Sequence, residues 1–384
     1  MKWEKKKLCE CTEYITDGDH QPAPKADKGV HFIKIKDIVN NQVSFDAQVY
    51  VPQEYYDNLP MERKPQKEDV LYTVVGSFGI PSYVQTDELF CFERNIALLH
   101  PNKDIEPRFL YYSLKNPAFY KGVEIVANGS AQKLIPLSKL KDLKILVPDK
   151  EAQRHIADIL SAYDDLIENN QRQIKLLEEA AQRLYKEWFV DLNFPGHENT
   201  KIVDGVPEGW RISSIYDVFD IKYGKNLPTS KITKAGQYPV YGASGVIGYY
   251  NEKNCDDYAT LVTSRGNGSG DVFRTHHKQS YVTNNSFIAR RNDKNSFIEN
   301  EFTFQLFSNT DFKKLCTGSA QPQLTNTSIQ KIKILLPNRQ LIEKYQRCTI
   351  EMSEKQEALY QEQRALTQAR NRLLPKLMNG TVEV

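Results

Sequence analysis

Between residues 149 and 191 the chain carries no proline or glycine, and its apolar positions fall in a 4-3 rhythm. The rhythm runs Ile156, Leu160, Tyr163, Ile167, Asn170, Ile174, Leu177, Ala181, Leu184 and Trp188, interrupted only by Asn170. That spacing returns side chains to one narrow stripe of an α-helix, the seam of a coiled coil rather than a broad globular face. At 1.5 Å per residue, about forty residues make a rod of roughly 60 Å. A second such segment runs from Asn338 to about Met378. There Tyr345, Met352, Leu359, Leu366 and Leu373 keep every seventh position apolar, while Thr349, Gln356, Gln363 and Arg370 fill the alternate ones. So narrow a seam does not stand alone in water. The rods are therefore expected to pair through Ile156, Leu160, Ile167, Asn170, Ile174, Leu177, Leu184 and Trp188 against Met352, Leu359, Leu366 and Leu373. Asn170 and the polar seam positions then fix register at some cost in stability.

What precedes each rod is also repeated. Gly129-Ser130-Ala131-Gln132 returns as Gly318-Ser319-Ala320-Gln321, and Lys144-Ile145-Leu146-Val147-Pro148 as Lys333-Ile334-Leu335-Leu336-Pro337, both 189 residues on. At the same offset, residues 71–81 (LYTVVGSFGIP) fall on 260–270 (TLVTSRGNGSG), so a strand-like run enters a glycine loop in each copy. Trp3-x4-Leu8-x-Glu10 resembles Trp210-x4-Ile215-x-Asp217, here 207 apart. Collinear matches of this kind mark a duplication.

The pattern predicts a first folded half at 1–148, a central helix at 149–191, and a linker at 192–208 rich in turn residues. A second half at 209–337, a distal helix at 338–378 and a tail at 379–384 follow. Short β-rich runs such as His31–Ile35, Asp69–Val75 and Tyr238–Tyr241 alternate with Gly-rich turns, and helices are expected at Pro107–Asn116 and Asn300–Ser308. The fold class is α+β: two duplicated mainly-β domains separated by two long antiparallel coiled-coil helices. A chain that leaves one rod and returns through a folded domain brings the second rod back antiparallel, with the domains at opposite ends about a pseudo-twofold axis.

Fifty-one basic and forty-nine acidic side chains leave a charge of +2, which excludes a histone-like chain held to nucleic acid by its overall field. The two rods sum to −1 and the remainder to +3, too little for tight unaided binding to a polyanion. Lys2 to Lys7 opens the chain with no apolar stretch behind it, and no run reaches the ~18 apolar residues of a membrane span. With six cysteines in no C-x-x-C pair, the expectation is a cytoplasmic protein with reduced thiols, no membrane association and no bound metal.

No catalytic centre is evident. Asn116-Pro117-Ala118-Phe119 resembles an adenine-methyltransferase motif, but no glycine-rich donor loop precedes it, and a helix ending before a proline explains it. Gly266-x-Gly268-x-Gly270 lacks the Lys-Ser or Lys-Thr of a phosphate loop. His276 and His277, read as strand neighbours, face opposite ways and share no metal. The loops instead hold groove-reading chemistry. In the second half these are Lys222, Lys225, Lys231, Ser264, Arg265, Asn267, Arg290, Arg291, Gln321 and Gln323. In the first they are Lys25, Lys28, Lys34, Lys36, Ser77, Arg94, Asn95, Gln132 and Lys133. Arg grips guanine bidentately, Asn and Gln do the same for adenine, and Lys holds phosphate.

Together the paired openings, the repeated Gly-Ser-Ala-Gln and Lys-Ile-Leu segments and the two rods resemble the specificity subunit of a bacterial type I restriction-modification enzyme. Tyr185-Lys186-Glu187-Trp188-Phe189-Val190-Asp191 with Phe194-Pro195-Gly196-His197 is similar to that family's central region, and residues 238–245 (YPVYGASG) to a loop of its target-recognition domains. The resemblance covers essentially the whole chain. It implies a non-catalytic reader of a bipartite, asymmetric double-stranded DNA site, whose helices set the spacer and dock DNA adenine methyltransferase subunits, two in number. ATP-dependent restriction subunits complete the complex. S-adenosylmethionine, ATP and Mg would belong to those partners, with no cofactor in this chain. Flipping the reacting adenine into a partner's pocket leaves the reader free of chemistry. The alternatives are a coiled-coil scaffold with duplicated protein- or ligand-binding end domains, and a fused methyltransferase-reader, which needs its own donor site.

Overall fold

The computed structural model describes residues 3–127, 133–318 and 321–383. The chain forms two compact units, Met1–Glu168 with Gln363–Val384, and Asn169–Glu362. Each unit takes one part of each of two long helices, the central helix Lys150–Tyr185 and the C-terminal helix Arg339–Met378.

In the first unit, Glu4–Lys7 pairs antiparallel with Lys144–Val147, closing the folded half just before the central helix. An antiparallel sheet follows in the order Thr12–Asp17, Ile96–Pro101, Val70–Thr73, Pro81–Tyr83. A smaller sheet joins Tyr50–Val51, Val30–Ile33 and Phe90–Phe92, the last two parallel. The second unit repeats all three. Arg211–Ser214 pairs with Lys333–Leu336. Its larger sheet runs Phe219–Tyr223, Ser286–Arg291, Thr260–Thr263, Val272–Arg274, and its smaller one Val246–Tyr250, Tyr238–Tyr241, Tyr281–Val282, again with a parallel final pair.

Both central strands, Val70–Thr73 and Thr260–Thr263, are wholly buried because the sheet is covered on both faces. Side chains alternate across a strand. Val70, Tyr72, Ala97 and Leu99 therefore meet Phe109 and Leu110 of helix Pro107–Lys115, while Leu71, Ile96 and Leu98 meet Phe90, Phe92 and Ile33. Helix Asn300–Ser308 covers the second sheet likewise.

The register corrects one detail of the repeat. Leu98 lies opposite Leu71, and Ile288 opposite Leu261, so these strands are 190 residues apart, not 189. A one-residue slip exchanges the faces of every side chain. Val75 thus corresponds to Arg265, and Gly76 to Gly266, whose N–H groups donate to the matching carbonyls of Lys133 and Pro322 at 3.2 and 3.1 Å. The Asn-Pro-Ala-Phe segment begins a further helix, Pro117–Val126, with Asn116 Oδ1 accepting from the Ala118 N–H at 3.1 Å. His276 and His277 lie in a loop rather than a strand. His276 stacks on Tyr360, and His277 Nδ1 meets the Tyr241 hydroxyl at 2.8 Å.

Within the second unit the helices run antiparallel. Asn170 Nδ2 donates to Glu362 Oε2 at 3.1 Å, and the Tyr345 hydroxyl donates to the Ala181 carbonyl at 3.1 Å. Ile156, Leu160, Ile167, Asn170, Ile174, Trp188 and Leu359 are buried; Leu177, Leu184, Met352, Leu366 and Leu373 are half-buried. Thr349 and Gln356 are also buried, so the seam keeps its alternate positions although they are polar. In the first unit, Leu374 and Leu377 flank Pro375 and join Ile156 and Leu160 in the core, a shift of one residue from Leu373.

The central helix ends in a widened turn, Lys186–Val190. There Phe189 packs against Tyr345, Phe302 and Trp210 at ring distances of 5.2, 5.4 and 6.0 Å. Residues 192–208 are mostly exposed and include a hairpin, Ile202–Val203 with Val206–Pro207, but Phe194 is buried 5.3 Å from Trp210. The aromatic run around 185–194 is thus the second unit's packing centre.

Candidate nucleic-acid interface

In each unit the larger sheet has one end at which loops converge. Gly224 follows strand Phe219–Tyr223 and lies flush on the backbone of Val282 and Thr283; a Cβ there would sit 2.3 Å from the Thr283 carbonyl oxygen. Gly18 does the same against Phe92 and Glu93 in the first unit, again at 2.3 Å. Only glycine permits this approach, and it delivers Lys225 and Asp19 to equivalent bridging positions opposite Thr283 and Glu93.

Hydroxyls pin the remaining loops of the second unit. Ser286 Oγ donates to the Gly242 carbonyl at 2.9 Å, and the Thr263 hydroxyl donates to the Ala243 carbonyl, so the 242–245 turn is held on the sheet end. Ser269 Oγ donates to Pro322 at 2.7 Å, and Arg265 bridges Gln323. Arg265 and Asn267 project exposed from this framework, with Gln321 exposed and Gln323 half-buried beside them. Tyr223 stands next to Arg265; burial raises its pKa, and the guanidinium pulls it part of the way back.

Lys225, Arg265, Asn267, Gln321 and Gln323 are therefore brought together. Lys222 is exposed on the adjoining strand, and Lys231 on the turn Thr229–Lys231. Ser264 is fully buried, its Oγ donating to the Asn284 carbonyl at 3.1 Å, which makes it part of the framework. Arg290 and Arg291 lie opposite Asp220 and Phe219, at the far end of the strand from Arg265. Arg290 Nη2 contacts Cys255 Sγ at 2.9 Å.

The first unit gathers a different set on the same frame. The Ser77 carbonyl accepts the Thr73 hydroxyl at 2.7 Å, and Lys133 Nζ stands 5.6 Å over the Phe78 ring. Arg94 is exposed, and the Asn95 carbonyl accepts from Val74 N–H at 2.9 Å. Lys34 and Lys36 flank a short turn tied to the same loop by the Ile35 N–H donating to Glu93 Oε1 at 2.7 Å. Lys25 and Lys28 are exposed along the smaller sheet. Gln132 lies outside the described residues.

In each unit a partly buried ion cluster ties domain to helices. In the first unit Asp164 of the central helix meets Arg370 of the C-terminal helix, Lys115 at 3.2 Å and the Tyr112 hydroxyl at 2.9 Å. Burial opposes the charge on Asp164, but Lys115 and Arg370 outweigh it and its pKa is lowered. Burial brings Lys115 down to about 8, against the pull of Asp164. In the second unit Arg274 meets Glu301 at 2.6 Å and Glu178 at 3.3 Å. No run of sequence announced these clusters, because their members lie up to 206 residues apart. Among the described residues, no group of three His, Cys, Asp or Glu is placed to hold a metal ion, and no helix is long and apolar enough to cross a membrane.

A family model described as "Type I restriction modification DNA specificity domain" matches twice, over residues 1–179 and 207–360. The chain belongs to this specificity-subunit family. Each matched segment spans one folded half and much of the helix after it. The MjaIX specificity subunit of Methanocaldococcus jannaschii is 26% identical over 316 residues, covering 76% of this chain and 72% of that one. The putative MjaX specificity subunit of the same organism is 27% identical over 357 residues, covering 87% and 83%. The solved type I S subunit from M. genitalium superposes with a TM-score of 0.59 at 20% identity, over 98% of this chain and 96% of that one, and so shares its fold.

Proposed function

We propose that this specificity subunit reads a bipartite, asymmetric double-stranded DNA sequence, with residues 1–148 taking one half-site and 209–337 the other. The helices at 149–191 and 338–378 set the spacer and dock two DNA adenine methyltransferase subunits, with ATP-dependent restriction subunits joining them; 192–208 links the halves and 379–384 is a tail. The chain itself performs no chemistry. S-adenosylmethionine, ATP and Mg act in the partners, in the cytoplasm.

One observation carries this reading. The two units share a framework of strands and carbonyl contacts, yet equivalent loop positions differ: Asp19 against Lys225, Val75 against Arg265, Ser77 against Asn267, and Arg94 against Asn284. A duplicated scaffold that holds its backbone and exchanges its loop side chains suits two different half-sites, because base edges are told apart by donor and acceptor pattern. The near-neutral charge of +2 fits a reader whose grip on phosphate is completed by partners. Methylome sequencing of cells with and without the gene tests it. A bipartite adenine motif that vanishes on deletion is expected; an unchanged methylome, or loss of one contiguous motif, refutes it.

A further inference from the structure

The second unit presents an apolar tip within a stretch whose only charges are lysines. From Lys222 to Tyr250 the chain has Lys222, Lys225, Lys231 and Lys234 and no Asp or Glu, in a protein whose charges otherwise nearly cancel. In this stretch Val246 and Ile247 are 45% and 49% exposed. Consecutive strand residues face opposite ways, so one of them normally faces a core. Both are open here because Ile247 is an extra residue in the pairing of Tyr238–Tyr241 with Val246–Tyr250, Tyr241 lying opposite Val246 and Val240 opposite Gly248, and such a bulge breaks the alternation.

The tip is held firmly. Gly242 N–H donates to the Gly245 carbonyl at 2.8 Å, Gly245 has a φ of 129°, and the Gly242 carbonyl accepts Ser286 Oγ. Thr233 and Tyr249 exchange two backbone hydrogen bonds, of 3.0 and 2.9 Å, laying the Lys231 and Lys234 segment alongside. The same sheet end carries Arg265, one residue after Ser264. A rigid aliphatic pair on a strand flanked by a lysine-bearing segment suits a surface that is anionic at its rim and apolar at its centre. A DNA groove lined by phosphates, with thymine methyl groups on its floor, has that character.

We propose that Val246 and Ile247 are specificity-determining residues that contact thymine 5-methyl groups in the half-site read by the second unit. This rests on the DNA-recognition reading above. The full chain, together with whatever subunits co-purify with it, is used to select duplexes from randomised DNA. Each thymine of the selected site is then replaced in turn by deoxyuridine, which removes only the methyl. One or two replacements in one half-site should weaken binding about 4-fold each, the worth of one buried methyl. The variant Val246→Ser/Ile247→Ser, which removes every methyl group of the pair, should with its melting temperature unchanged be indifferent to the same replacements. A wild-type complex indifferent to every replacement overturns the inference, as does a variant that discriminates as the wild type does; both leave DNA recognition standing. Failure to select any sequence overturns the recognition reading and this inference with it.

Discussion

Replacing Asp164 by Asn tests the ion cluster of the first unit and, through it, how domain and helices are joined. The Lys115 and Arg370 side chains are each 13% exposed and Asp164 23%, so Asp164→Asn leaves two buried cations facing one another. Removing one partner from a buried, hydrogen-bonded pair costs about 3–5 kcal/mol. The lower end, about 3 kcal/mol, is expected, since Asn can still accept from the Tyr112 hydroxyl and Lys115 can shed its proton. That second route sets the pH dependence. Burial already holds Lys115 at about 8; without Asp164 it falls further. The folded variant then binds fewer protons than the folded wild type between the variant's lysine pKa and about 8. The loss of stability is therefore greatest at the acid side of this window, shrinks as pH rises towards about 8, and is flat above it. Urea unfolding from about pH 5.5 to about pH 9, with amide exchange followed in 107–115 and 363–378, measures this. A loss below about 1 kcal/mol that does not change with pH would refute the reasoning.

Three further outcomes are expected. Arg265→Ala should weaken DNA binding, either reducing the salt slope by about one if it holds phosphate or relaxing preference at one position by about 1–3 kcal/mol if it reads a base; unchanged affinity, slope and preference would exclude it from the interface. Phe189→Ala should destabilise the second unit by about 3–5 kcal/mol in thermal unfolding, since it empties the centre of the aromatic cluster, and a cost below about 1 kcal/mol would contradict that packing. Deleting four residues from each long helix should shorten the preferred spacer by about 6 Å, roughly two base pairs, with both half-sites intact. Altered half-sites with the spacer unchanged would sink the ruler.

The sequence alone determined the repeat, both long helices, the covering helices at 107–115 and 300–308, and the family. These are legible because heptad spacing and collinear identities are one-dimensional patterns that secondary structure preserves. Tertiary structure decided what depends on register and on distant partners. The one-residue shift that sets Val75 against Arg265 shows only in strand pairing, because a single insertion leaves composition intact and changes which face each side chain takes. Ser264, expected to offer a groove-reading hydroxyl, spends it on a backbone carbonyl, and Arg290 and Arg291, expected among the same loop residues, lie at the other end of the strand from Arg265. Asp164 with Arg370, and Arg274 with Glu178, could not be paired from sequence, because burial makes charges choose partners by geometry across long loops. Order along the chain fixed what the elements are, and packing fixed which of their side chains remain exposed.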